Sequence, residues 1–200
     1  MTALETALRQ ICGDLTETRH VFALVGGLAV SARTEPRFTR DADIAVAVAS
    51  DAEAETLVRN LRSTGYEIEA VVEQEAVGRL ATARLRRSPE HTSPVIDLLF
   101  ASSGIEPEIV AGADAIELLP QLRVRVATTG HLIALKVLAR DDVTRPQDVA
   151  DLRMLLRVAS AIDITRARAA LTLISKRGYH RGRDLDAEFE RLLRTQHEAR

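Results

Sequence analysis

The stretch VGGLAVSARTEPRFTRDADIAVAV, Val25 to Val48, carries the densest information about architecture. It begins at the end of a short apolar run, Val21 to Val25, which is stopped by Gly26-Gly27 and followed by the alanine-rich LAVSAR. That order reads as strand, glycine turn and helix. Asp41-Ala42-Asp43 then opens Ile44 to Val48, where apolar residues occupy both parities, as in a strand covered on both faces. Residues i and i+2 of a strand share a face about 7 Å apart, so Asp41, Asp43 and Thr39 are expected to point the same way. Two carboxylates on one buried face repel unless a cation lies between them, and hard oxygen ligands suit Mg²⁺. A glycine pair between strand and helix lets backbone N–H groups approach an anion at the positive end of the helix dipole.

A third carboxylate, Asp97, lies inside the apolar run Val95 to Phe100. It is costly there unless paired, hydrogen-bonded or metal-bound, and a neighbouring strand would bring it to the same place as Asp41 and Asp43. Metal-binding carboxylates beside a phosphate-holding turn are the parts of phosphoryl transfer. Around this centre the pattern predicts an opening amphipathic helix over 3–18, a helix from Ser50-Asp51 to about Thr64, and strands over 66–72 and 79–87. Pro89 to Pro94 reads as a loop, and 105–126 holds short helical and strand pieces whose order the pattern leaves open. Helices follow at about 128–140, 146–158, 163–176 and 184–196. The expected architecture is α/β (α+β): a mixed β-sheet core flanked by helices over residues 1–127, with a C-terminal helical bundle over 128–200 packed on it.

Composition bounds the function. Of 200 residues 46% are hydrophobic and 28% charged, an ordinary globular balance, and the net charge of −2 excludes a generally basic nucleic-acid coat. The single cysteine, Cys12, allows neither an internal disulfide nor a cysteine-based metal site. No apolar stretch is long enough to cross a bilayer and no secretory leader is legible, so a cytoplasmic protein with no membrane partner is expected. Only two lysines occur, Lys136 and Lys176, all other basic side chains save histidine being arginine.

The Val25 to Val48 string resembles the nucleotidyltransferase superfamily pattern: a glycine pair, Asp-x-Asp on the next strand, and a third Asp on a later strand. The segment HLIALKVLARDDVTRPQDVADLRMLL, residues 131–156, is similar to the Lys helix and following Arg-x-x-Asp helix of the AbiEii-type toxins, the group that includes the mycobacterial MenT toxins. The resemblance implies a nucleotidyltransferase fold and a Mg²⁺-dependent enzyme that moves a nucleoside monophosphate from an NTP to an acceptor hydroxyl. It implies that the acceptor is the 3′ end of tRNA, that translation is thereby blocked, and that a cognate antitoxin protein neutralises the toxin. DNA is not an expected partner. It makes Asp41, Asp43 and Asp97 the ligands of a two-metal site, Gly26 and Gly27 the phosphate turn, Lys136 a contact to the triphosphate, and Asp148, with Asp151 as substitute, the downstream acid. Gly27 stands where many members have serine, which removes a side-chain phosphate contact.

Plainer readings compete with each of these. A Gly-Gly pair is often only a turn, Lys136 can snorkel from an amphipathic helix, and Thr144 to Gln147 is a capping-box pattern that would leave Asp148 merely complementing a helix N-terminus. Arg37 and Arg40, with Arg33 farther off, are candidates to neutralise a triphosphate. Thr39 beside the carboxylates is a candidate phosphorylation switch, since a phosphoryl group would add nearly two negative charges where the triphosphate belongs; the resemblance to the MenT group points the same way. Two further basic groups, Arg79, Arg84, Arg86, Arg87 and His91, and Lys176, Arg177, His180, Arg181 and Arg183 around Tyr179, could hold RNA phosphates. Two rival functions remain open: a small-molecule, antibiotic nucleotidyltransferase on the same core, and a non-catalytic nucleotide- or partner-binding module.

Overall fold

Thr2 opens the first helix with a capping box: its hydroxyl accepts the Glu5 N–H while the Glu5 carboxylate accepts the Thr2 N–H. The helix that follows, α1 (Ala3–Glu17), buries Leu8, Ile11 and Leu15, the stripe its spacing predicts. The computed structural model describes residues 2–87, 93–141 and 146–198. His91, Thr144 and Arg145, and with them most of the predicted loop at 89–94 and the first half of the capping-box pattern, lie outside the described residues.

β1 (Phe22–Val25) runs straight into α2 (Gly26–Arg33), so the two glycines form the first turn of the helix rather than a separate loop. β2 (Asp41–Val46) follows, then α3 (Asp51–Ser63), whose N-cap Ser50 accepts the Glu53 N–H. Next come β3 (Glu67–Gln74), β4 (Arg79–Arg86) and β5 (Val95–Leu99). The segment the pattern left unordered is α4 (Glu106–Gly112) and a hairpin of β6 (Asp114–Leu119) and β7 (Leu122–Val126). Four helices end the chain: α5 (Thr129–Ala139), α6 (Pro146–Val158), α7 (Ala161–Lys176) and α8 (Leu185–Glu198).

The strands form one mixed sheet in the order β3-β4-β5-β2-β1-β7-β6. β2 pairs parallel with β5, and β1 with β7; the other neighbours are antiparallel. Both chain halves feed a single core: Leu24, Ile44 and Leu98 from central strands share one cluster with Ile133 and Val137 of α5, Leu155 of α6 and Leu171 of α7. Each such side chain contributes about 1.5–3 kcal/mol on burial, so the helices are part of what holds the sheet. Among the described residues no helix is long and apolar enough to cross a membrane.

Candidate active site

The central strands bring the sequence's three carboxylates into line. Asp43 of β2 is in register with Asp97 of β5, Asp97 is in register with Arg84 of β4, and Asp43 with Val25 at the end of β1. One row therefore crosses four strands, with Asp41 two residues upstream on the same face. These residues line a cleft of about 480 Å³ together with Gly26, Gly27, Arg37, Thr39, Lys136 and Asp148. Ser102, Ser103, Gln147 and Arg181 line it too.

Asp43 is the carboxylate of this row whose ionisation its surroundings oppose. Burial first, then the charges of Asp41 and Asp97, push its carboxyl up to about 6, against the pull of Lys136 and a hydrogen bond from the Gly27 N–H. A carboxylate so disfavoured would be relieved by a cation shared with Asp41. Asp97 has found a local one: Arg84 donates from Nε to Oδ1 at 2.9 Å and from Nη2 to Oδ2 at 2.7 Å. That fork holds the guanidinium firmly protonated. Asp41 accepts the Thr39 hydroxyl at 3.1 Å.

The glycines have a local reason. Gly26 adopts φ +61°, and a Cβ there would lie 1.8 Å from Asp43 Oδ2. A Cβ on Gly27 would meet Arg37 Nη2 at 2.8 Å and Thr39 Oγ1 at 3.1 Å, so a serine at this position would displace the Arg37 guanidinium and crowd Thr39. The expected phosphate turn is thus also the space into which Asp43 fits, and its Gly27 N–H is engaged by that carboxylate.

A second charge cluster closes the other wall. Lys136 Nζ lies 2.5 Å from Asp148 Oδ1 and 2.8 Å from Asp151 Oδ2, so the lysine does not snorkel to solvent, and Asp148 partners a cation rather than only a helix end. Arg37 Nη2 donates to Asp151 Oδ2 at 2.7 Å, and Arg37 Nε lies 2.7 Å from Oδ1. Burial opposes ionisation of Asp151, but the hydrogen bonds and charges of Lys136 and Arg37 outweigh it and hold the carboxyl below its usual range.

Several expected residues are elsewhere. Arg40 is exposed, its guanidinium 5.6 Å from the Phe38 ring centroid and outside the cleft lining, because the chain turns it away before β2 begins. Arg33 reaches the Val126 and Ala127 carbonyls and Asp114, fastening α2 to β6 and β7. The first basic group is consumed by folding: Arg79 pairs with Asp51, Arg84 with Asp97, Arg86 with Glu69 and Arg87 with Asp14. In the second, Arg177 pairs with Glu108, Arg183 with Glu188, and Tyr179 is buried, so it offers no stacking face. Sequence reading missed Arg84 as a site residue because its partnership with Asp97 is a matter of cross-strand register.

The donor chemistry fits divalent cations at Asp41 and Asp43, two half-buried carboxylates that offer hard oxygens from one strand face. Among the described residues no three carboxylate, imidazole or thiol groups close into a cage by themselves, Asp97 being occupied by Arg84.

The sequence signature of the nucleotidyl transferase AbiEii toxins of type IV TA systems matches residues 6–200. The chain belongs to that family. No curated protein matches it in sequence. The AbiEii chain is similar in fold to the antibiotic-resistance factor ANT(2'')-Ia. Its solution structure has a TM-score of 0.56 and 16% identity, over 86% of this chain and 91% of that one. Its crystal complex with adenylyl-2''-tobramycin gives 0.58 and 15%, over 88% and 99%. An antigenic nucleotidyltransferase-like protein from Paracoccidioides brasiliensis gives 0.55 and 16%, over 94% and 92%. The AbiEii fold is therefore a nucleotidyltransferase fold, with the mixed sheet and flanking helices that the sequence predicts.

Proposed function

We propose that this AbiEii chain transfers a nucleoside monophosphate from an NTP to the 3′ hydroxyl of a tRNA, blocking translation, and that a cognate antitoxin opposes it. The observation that carries the reading is the Asp43 carboxylate, set in register with Asp97 and beside Asp41 at a glycine turn, where partial burial and their charges oppose its ionisation. Asp41 and Asp43 would hold the divalent cations, which when bound neutralise the triphosphate and orient it. Arg37 and Lys136 flank the place for the phosphates, each already fixed by Asp151. Arg84, half exposed, turns to the phosphates as the nucleotide enters and releases Asp97. The acceptor oxygen bonds to the α-phosphorus, the bond from that phosphorus to pyrophosphate breaks, and the hydroxyl proton passes to Asp97.

The test is incubation with each α-labelled NTP, Mg²⁺ and total RNA. Label on tRNA that is lost in Asp41→Ala supports the proposal. Label on an aminoglycoside but no RNA would turn the reading to an antibiotic nucleotidyltransferase, which the fold likeness to ANT(2'')-Ia makes the second candidate. Ligand binding without turnover would leave a binding module.

Gly26→Ala is expected to lower transfer about 100-fold, the cost of a small displacement of a reacting centre. The methyl group would drive the Asp43 carboxylate out of its place, and the positive φ adds about 1–2 kcal/mol of strain. Single-turnover rates measured alongside circular dichroism would separate the two, and an unchanged rate would contradict the placement of Asp43. Thr39→Glu is expected to reduce transfer at ordinary NTP levels and to raise the KM for NTP, because negative charge would sit beside Asp41. Full activity of that variant would count against Thr39 as an off switch.

A further inference from the structure

Two adjoining cavities of about 490 and 510 Å³ lie on the C-terminal helices, away from the carboxylates, and share Arg140, Leu192 and Thr195. One is bounded by Arg183 and Arg191; the other is floored by Leu152 and Leu156 and edged by Arg153 and Arg157. Five arginines thus face this groove against one carboxylate among its described lining residues, Glu188, which Arg183 already holds. In a chain of net charge −2 that is a marked local excess. Arg153 and Arg157 are exposed and one turn apart on α6, a like-charge pair that disfavours its own helix. Arg191, also exposed, donates along its own helix to the Ala187 carbonyl and pairs with no carboxylate among the described residues.

Two chain segments that line the active-site cleft run on into residues that line the groove. At the end of α5, Leu138 and Ala139 line the cleft while the next residue, Arg140, lines the groove. Before α8, Arg181 lines the cleft and Arg183 the groove, and Arg183 is fixed there by the Val137 and Leu138 carbonyls. A ligand lying along the arginines therefore rests on the same two segments, the end of α5 and the stretch before α8, that wall the cleft.

We infer that the α6–α8 groove is a track for the phosphate backbone of a polynucleotide acceptor whose 3′ end enters the cleft. The inference rests on the proposed transfer to RNA and adds where that RNA is held. Among the described residues the groove lining contains no aromatic side chain, so the track reads charge rather than base. A cationic small-molecule acceptor has no use for it.

The experiment uses the full chain and a fluorescent RNA hairpin with a single-stranded 3′ tail, followed by anisotropy without NTP at 50–200 mM salt. Arg153→Gln/Arg157→Gln is expected to weaken binding about tenfold and to reduce the slope of log affinity against log salt by about 2. In transfer assays KM for RNA should rise about tenfold, with kcat and KM for NTP unchanged. Thermal melting confirms that the variant folds, and Arg191→Gln provides an independent second test of the same track. Unchanged affinity, slope and KM for RNA in both variants would overturn the track while leaving transfer intact. RNA binding that depends on the arginines, with no NMP transferred by the wild type, would overturn the catalytic reading and leave the track. Tighter binding of poly-glutamate than of the hairpin at equal salt would overturn it in favour of an acidic protein partner.

Discussion

Asp43→Asn should extinguish nucleotidyl transfer by at least 1000-fold and, without metal, make the protein more stable at pH 7.5. The first effect follows from removing one of two charges that hold the cations and, through them, the triphosphate. The second follows from linkage. The folded-state value of about 6 lies above the ordinary 3.8, so between these limits the native protein binds more protons than the unfolded chain. Stability contributed at this position is greatest below about pH 4 and is lost as pH rises through 6. Asparagine has no charge to uncover, so the variant should gain about 1–3 kcal/mol at pH 7.5. That advantage should vanish towards pH 4. Melts from pH 4 to 8 in a chelator measure this directly. With Mg²⁺ present the order should reverse, because only the wild type gains from binding the ion. A variant less stable than wild type in chelator at pH 7.5 would show that Asp43 is well compensated by groups already in the chain.

Asp151→Ala acts in the opposite sense. Its side chain is fully buried and faces two cations, Lys136 at 2.8 Å and Arg37 at 2.7 Å. Truncation leaves Lys136 with Asp148 alone and takes from Arg37 its carboxylate partner among the described residues, a change that costs about 3–5 kcal/mol when a buried pair is broken. For a chain of this length that corresponds to a fall in Tm of roughly 6–20 °C. Transfer should fall as well, since Arg37 and Lys136 lose what positions them, and the loss should appear in KM for NTP. Asp151→Asn should be milder in stability because it keeps the shape and one acceptor oxygen. A double-mutant cycle with Arg37→Gln should return a coupling energy of about 1–3 kcal/mol. An additive cycle would mean that the contact holds nothing.

These residues also show what a sequence discloses. The strand, glycine pair and Asp-x-Asp between Val21 and Val48 were legible because they are local, set by spacing and by residue type over less than thirty positions. Asp97 was legible because a charge inside an apolar strand has few reasons to exist. The four terminal helices were legible from the sequence pattern, and the structure adds the caps at Thr128 and Ser160. Arg84 was counted among surface cations because its meaning depends on which residue stands opposite it on β5. The same holds for Arg79, Arg86, Arg87 and Arg177, each absorbed by an acid distant in sequence. Tyr179 looked available for stacking until packing buried it. The hairpin of β6 and β7 escaped ordering because Asp114 to Leu119 alternates weakly, although Leu122 to Val126 alternates strictly and Arg33 depends on the pair.

The reach of Asp151 across the molecule limits how this toxin can be rebuilt. A chimera that exchanges residues 128–200 for those of a relative would remove the anchor for an arginine on the other side of the junction. Such hybrids should be inert unless the grafted half brings an acid to the same spot, and in any lineage the two halves should drift as a matched pair.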